Sequence, residues 1–263
     1  MFVIENISVS YRTKKGRMPV IDGLSLQMEQ GEVLAVLGPS GCGKSTLINA
    51  LAGTIPLDSG SADFVTENGR QPLNPKTHKI GVIPQNCGLL PWKTVRDNCL
   101  LPLKLRGEPL TKELRREISD ICEDLDVLRL LQRYPAQLSG GQVQRAALAR
   151  AVIFSPDLLL MDEPFSALDA ITRQDARKLF LRIWNRNRPT TILVTHSIEE
   201  ALYLGNTVVV MGTSHGDIQY RMKNPYFGNS DPESVDYLAA KRILYEKLKP
   251  DGERRDSFEQ AAE

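Results

Sequence analysis

Nine consecutive residues, Gly38, Pro39, Ser40, Gly41, Cys42, Gly43, Lys44, Ser45 and Thr46, have the types and spacing of a phosphate cradle. The glycines let backbone N–H groups turn inward around phosphate oxygens, and a helix starting behind them adds positive potential. In this G-x-x-x-x-G-K-[ST] pattern, Lys44 reaches the terminal phosphates and Ser45 offers a hydroxyl to Mg²⁺. The flanks agree, with an apolar run over 32–38 before the loop and Leu47, Ile48 and Leu51 at helical spacing after it. A Gly-rich turn that merely begins a helix would need neither the lysine nor the buried strand. Further along, Leu158, Leu159, Leu160 and Met161 run into Asp162 and Glu163. A buried strand ending in acids places Asp162 where a carboxylate holds Mg²⁺ through water. Glu163, one residue on, can polarise an attacking water.

The third feature is Leu138, Ser139, Gly140, Gly141 and Gln142, lying before the Asp162 strand. Ser139-x-x-Gln142 is a capping-box pattern, so its plain meaning is a helix start. A helix start is itself a phosphate-seeking device, and two glycines permit close backbone approach. In order with the other two motifs, this stretch resembles the signature of the ATP-binding-cassette ATPases. The resemblance extends over about residues 1–225.

That resemblance implies roles for further residues. Tyr11 matches the aromatic that stacks on adenine, and Gln85, after the run Ile80–Ile83, the Q-loop glutamine that contacts Mg²⁺ and water and senses a membrane partner. Ser166 to Asp169 looks like the D-loop, and His196, after Thr195, like the switch histidine near the γ-phosphate. Pro84 stands where many relatives carry an aromatic residue. Cys42 contributes backbone to the loop, and modification of its thiol would obstruct nucleotide. His78 and His215 lie in turn-rich segments with no role implied.

The motifs are shared by importers, exporters and non-transport ATPases. Residues 88–98 and 162–170, followed by Thr172 and Arg173, resemble the ATPase subunits of bacterial nitrate/sulfonate/taurine-type importers, as do 195–204 and 208–211. The implied protein is an ATP-hydrolysing importer subunit that binds ATP and Mg²⁺. It pairs head to tail with a second copy, so that each ATP lies between one phosphate loop and the partner's signature. Integral-membrane permeases and, indirectly, a solute-binding protein complete the system at the cytoplasmic face of the membrane. The alternatives are an exporter or lipoprotein-release subunit, or an ATPase acting on nucleic acid. The last would need a coiled-coil insertion, a second cassette or a basic face, and the sequence displays none.

The elements that must hold these residues can be traced in the pattern. Phe2, Ile4, Ile7 and Val9, then Leu24, Leu26 and Met28, alternate as half-buried antiparallel strands. The run at 32–38 is almost uninterrupted in apolar residues, and those at 80–83, 158–161, 192–194 and 208–211 are of the same kind, as strands covered on both faces are. Helical patterns between the later runs predict a parallel sheet with crossovers. Thr172 is positioned to cap a helix with Ala176, Leu179, Phe180, Ile183 and Trp184 on one face, and Ser197 with Glu200 fits a capping box. From about 89 to 153 no strand is visible. A helix around 111–131 (Leu114, Ile118, Ile121, Leu125 and Leu128) and another after Ser139 read as a helical subdomain inserted into the core. Leu89, Leu90 and Trp92 are an apolar cluster that either packs on that subdomain or awaits a partner. From Asp231 and Pro232 a last helix is expected to face Val235, Leu238, Ala239, Ile243 and Leu248 inward, with a frayed tail over 251–263. The expected fold is α/β: a P-loop NTPase core of RecA-like type, with an antiparallel β subdomain and the helical insertion. Residues 1–225 form the ATPase domain and 226–263 a terminal helix and tail.

Composition bounds the alternatives. The 263 residues are 41% hydrophobic and 25% charged, and 33 basic against 32 acidic side chains leave a net charge of +1. Such a balance gives no global field to recruit nucleic acid or an anionic membrane. No apolar run approaches the ~20 residues of a spanning helix, and the first residues do not read as a secretory signal. Cys42, Cys87, Cys99 and Cys122 show no CxxC pairing, which argues against a zinc site or a disulfide scaffold.

Overall fold

A computed structural model describes residues 1–14, 16–229 and 231–249. In chain order its elements are β1 (Phe2–Thr13), β2 (Gly16–Met28), β3 (Val33–Leu37), α1 (Lys44–Leu51), β4 (Ser59–Thr66), β5 (Gly69–Pro72) and β6 (Ile80–Ile83). Then come α2 (Val95–Cys99), α3 (Leu101–Arg106), α4 (Lys112–Asp124), α5 (Gly140–Val152), β7 (Leu158–Asp162) and α6 (Ala170–Asn187). The last are β8 (Thr190–Thr195), α7 (Ile198–Leu204), β9 (Thr207–Met211), β10 (Ile218–Lys223) and α8 (Val235–Leu248). Two compact units result, one of Met1–Leu73 with the described residues from Ile192 onward, the other of Asn74–Thr191.

The first unit contains an antiparallel sheet in the order β2-β1-β4-β5. Alternation in β1 turns Phe2, Ile4, Ile7 and Val9 inward, each nearly sealed from solvent, and Met28 and Phe64 lie opposite Phe2 on either side. The Phe2 and Phe64 rings meet at 4.9 Å, a tilted pair of the kind that adds to simple area burial. Beside it β10, β9, β3 and β8 are neighbours in that order. β3 and β9 run parallel, pairing Leu34 with Thr207 through Leu37 with Val210, and β10 is antiparallel. Every residue of β3 and β9 is buried, as the uninterrupted apolar runs required. One face of this sheet, Ala35, Leu37, Val208 and Val210, packs with Ile198, Ala201 and Leu202 of α7 and with Tyr237 and Leu244 of α8.

In the second unit β6 and β7 are parallel, from Ile80 opposite Leu158 to Ile83 opposite Met161. The alanine-rich helix α5 lies close on β6, since a Cβ on Gly81 would stand 2.5 Å from the Ala151 carbonyl oxygen. Trp184 of α6 is buried, its indole N–H donating to Pro189 O at 3.0 Å. Between residues 89 and 153 the structure has helices and turns only. Among the described residues no helix is long and apolar enough to cross a membrane.

Three local expectations are corrected. α6 begins at Ala170, and its cap is Asp169, whose carboxylate accepts from the N–H groups of Ile171 and Thr172, both at 3.1 Å. A charged acceptor three residues earlier outcompetes the Thr172 hydroxyl. The helix expected to reach 131 ends at Asp124, because Asp126 takes a left-handed conformation (φ 51°), and Leu128 is exposed. α8 starts after Ser234, which caps Tyr237 N, and buries Tyr237, Ala240 and Leu244 rather than the stripe expected from spacing. Val235 is 81% exposed, Leu238 and Ile243 are exposed too, and Leu248 is partly buried. The face that turns inward is the one whose Tyr237 and Leu244 pack on the sheet and α7, and the Tyr237 ring also meets Tyr226 edge-on at 5.3 Å and 87°. The expected tail, 251–263, lies outside the described residues.

Candidate nucleotide site

In the first unit the phosphate motif forms a loop from the end of β3 into α1. A Cβ on Gly38 would fall 2.7 Å from Cys42 Sγ and 2.8 Å from Met211 O, so only glycine fits there. Gly43 caps α1 in the left-handed region, φ 107°, which a side chain would resist. Lys44 is 5% exposed, and its ammonium donates to Gly38 O at 2.7 Å and Pro39 O at 2.8 Å. The charge is thereby held over the loop's own backbone. Pro39 is half-buried, while Ser40, Gly41 and Ser45 are exposed. Cys42 is buried, and that burial pushes its thiol up from the ordinary range, which disfavours the reactive thiolate. The modification envisaged from the sequence is opposed by this environment.

Tyr11 joins the same corner. Its hydroxyl lies 3.2 Å from Thr46 Oγ1, fixing one end of the ring against α1 while the side chain stays exposed. His196 is exposed just beyond β8 in a turn pinned on both sides. Gly38 N–H donates to Thr195 O at 3.3 Å. The Thr195 hydroxyl donates to buried Glu200 and accepts from Ser197 N at 3.1 Å. Ser197 caps α7 through Glu200 N at 3.2 Å, but the Glu200 carboxylate turns to Thr195, so only half of the expected capping box forms.

The second unit carries the remaining motifs. Ser139 caps α5, and Gln142 Oε1 accepts from Ser139 N at 3.1 Å, the reciprocal box expected. A Cβ on Gly141 would meet the Thr172 methyl at 2.8 Å, a packing reason for glycine beside any phosphate. Asp162 ends β7 at 8% exposure. Glu163 adopts φ 45°, a left-handed conformation costing on the order of 1–3 kcal/mol. Its carbonyl accepts from Ser166 N at 3.2 Å and Ser166 Oγ at 2.9 Å, which locks the acid and the following loop into one turn. Such held strain is characteristic of functional positions.

Two residues in this unit acquire a part that spacing did not assign. Arg173 donates to Phe165 O at 3.1 Å and Leu168 O at 2.6 Å, bracing the loop Ser166–Asp169 from α6. Arg150 donates to Cys87 O and Gly88 O beyond Gln85, which is exposed at the end of β6. Both arginines sit on helices as ordinary basic residues. The acceptors of Arg150 lie some sixty residues away, so no local signal marked it, whereas Arg173 reaches back only to the loop that precedes its own helix.

The ABC transporter family model matches residues 21–166, which include the phosphate loop, Gln85, Ser139–Gln142, Asp162 and Glu163. Taurine import ATP-binding protein TauB of Escherichia coli (strain K12) is 41% identical over 208 residues, covering 79% of each chain. The protein of the same name from Chromobacterium violaceum is 42% identical over 219 residues, 83% of this chain and 82% of that one. Among solved structures, the dimeric MJ0796, described as a bacterial ABC transporter cassette, superposes with a TM-score of 0.73 at 27% identity. It covers 85% of this chain and 98% of its own. A post-hydrolysis dimer of that cassette bound to ADP and Pi gives 0.72 at 28%, with the same coverage. Fold and site together define a P-loop ATPase of cassette type. This chain belongs to the ABC transporter family, and it is a nucleotide-binding ATPase subunit.

Proposed function

We propose that this protein hydrolyses ATP to drive uptake of a small sulfonate of taurine type. The reading is carried by the 41–42% identity to taurine import subunits over about four-fifths of the chain. It works at the cytoplasmic face of the membrane as a head-to-tail pair, joined to permease subunits and served by a solute-binding protein. Residues 1–225 are the ATPase domain with its helical insertion at about 89–153, and 226–263 are an appendage.

In this reading Tyr11 stacks on adenine, and the backbone from Gly38 to Thr46 wraps the phosphates. Lys44 exchanges its two carbonyl partners for phosphate oxygens, a charge-assisted bond that favours bound nucleotide. Ser139, Gly140, Gly141 and Gln142 present the start of α5 to the partner's ATP. Glu163 orients and deprotonates water, and His196 contacts the departing γ-phosphoryl. The donors proposed for Mg²⁺ are an exposed serine hydroxyl (Ser45), a carboxylate (Asp162) and an exposed amide (Gln85). All offer hard oxygen, which suits that ion. Held there, the ion would supply positive charge against the phosphates of the nucleotide. The rest is positioning and electrostatics.

Uptake of labelled taurine in cells lacking the gene tests the reading. Uptake should fall, return with the intact gene, and stay low with Glu163→Gln. Unchanged taurine uptake in the deletion would overturn the solute assignment.

A further inference from the structure

The loop that begins with Gln85 is an ordered structure, and the groups that order it belong to α5, the helix that starts at Ser139. Cys87 N–H closes a turn on Pro84 O at 2.8 Å, and both Cys87 (φ 61°) and Gly88 (φ 58°) are left-handed. A Cβ on Gly88 would stand 2.8 Å from Pro84 Cγ and 3.3 Å from Arg150 Nη2, so proline and guanidinium enclose it. Arg150 donates to Gly88 O at 2.6 Å and to Cys87 O at 2.8 Å. Six residues earlier on α5, buried Gln144 accepts from Cys87 Sγ at 2.9 Å. The far end of the loop is tied separately. Fully buried Asn98 accepts from Leu90 N at 2.7 Å, and its amide nitrogen lies 3.0–3.1 Å from Leu90 O, Lys93 O and Thr94 O.

We infer that Arg150 is a positioning residue that makes the Gln85 loop and helix α5 move as one piece. Two charge-assisted bonds to consecutive carbonyls fix both place and orientation of that backbone. No hydrophobic contact supplies such orientation. A displacement of Gln85 on nucleotide binding is therefore delivered to Ser139 at the head of the same helix. The bonds are to main-chain oxygens, so the forked cation reads the backbone of 87 and 88, whose course depends on glycine at 88. The left-handed turn at Cys87 and Gly88 aims both carbonyls at it. This inference rests on the roles proposed above for Gln85 and Ser139.

The test uses the full-length protein with Arg150→Met and Arg150→Lys. Steady-state hydrolysis, equilibrium ATP binding and amide hydrogen exchange of residues 86–94 are measured on each. In Arg150→Met the loop amides should exchange at least tenfold faster, those of β6 should be unchanged, and ATP affinity should stay within about threefold. Hydrolysis should show kcat reduced about tenfold or more with KM little altered, in protein whose thermal unfolding midpoint stays close to the parent's, which separates the effect from a loss of folded enzyme. Lysine, which reaches one carbonyl as a point charge, should restore part of both effects. Loop exchange and kcat both unchanged in Arg150→Met would overturn the inference. So would a loss of kcat that tracks loss of ATP affinity. If the unsubstituted protein hydrolyses no ATP, the functional reading fails, and the exchange measurement alone still decides whether Arg150 braces the loop.

Discussion

The backbone N–H of Gly38 donates to the carbonyl oxygen of Thr195 at 3.3 Å. Gly38 opens the phosphate loop and Thr195 immediately precedes His196, so one hydrogen bond joins the start of the cradle to the base of the histidine turn. The Thr195 hydroxyl is committed to Glu200 and Ser197 N, which leaves the turn little freedom. Loop and histidine thus share an anchor, and a change at either end of that bond should be felt at the other.

Gly38→Ala is expected to disrupt this anchor. The added methyl meets Cys42 Sγ at 2.7 Å and Met211 O at 2.8 Å, and a strand carbonyl cannot move aside cheaply. Overpacking of this kind costs about 1–3 kcal/mol. Thermal unfolding should show a clear fall in midpoint, and titration with a fluorescent ATP analogue should show weakened binding. A midpoint and affinity equal to the parent's would contradict the close packing.

Glu163→Gln should keep ATP binding and lower hydrolysis about 100-fold or more, as loss of one positioned base does. The substitution is isosteric, so the turn held by Ser166 on the Glu163 carbonyl should persist. Phosphate release and size-exclusion chromatography in ATP should reveal an inactive, ATP-bound dimer. Near-normal turnover would transfer the role of base to another residue.

Lys44→Ala and Ser139→Arg probe whether a site is shared between two copies. Each variant alone should be inactive, one through lost phosphate contact and the other through a blocked helix start. Mixed as heterodimers, they should regain one composite site without either substitution, and with it a fraction of the parent's hydrolysis. Heterodimers that form and stay inactive would count against the head-to-tail arrangement.

The apolar cluster before α2 divides in the structure. Leu89 and Leu90 are half-buried, whereas Trp92 is 71% exposed. Leu90→Glu would therefore confound packing with partner loss, and Trp92→Asp is the cleaner probe. Its stability should stay within about 0.5 kcal/mol of the parent, as for most surface substitutions. ATP binding by the subunit alone should be unchanged. Co-purification with the permease should fall sharply, and undiminished recovery would show that Trp92 is not an anchor.

Cys42 should resist alkylation despite lying in the phosphate loop. Burial raises its thiol above the ordinary range, so at pH 8 the thiolate is scarcer than in a free cysteine. Mass spectrometry after brief iodoacetamide treatment should find Cys42 modified more slowly than an unstructured peptide of the same residues. An equal rate would mean that the loop opens readily.

Much of this protein was legible in one dimension because the physics there is local. A phosphate loop is contiguous, a capping box spans four residues, and a doubly covered strand announces itself by an unbroken apolar run such as Val33–Leu37. Ser139 with Gln142 needed nothing beyond its own neighbours, and it formed as read. Where two local solutions competed, only the tertiary structure chose. α8 offers two apolar stripes, and the one that is buried, with Tyr237, Ala240 and Leu244, is the one that meets the sheet face, α7 and the Tyr226 ring. Asp169 displaced Thr172 as the cap of α6 because a carboxylate accepts two N–H groups at once. Arg150 and the bond from Gly38 to Thr195 left no trace in the pattern. Their acceptors are main-chain carbonyls, which every residue carries alike, and only folding determines which of them a distant donor meets.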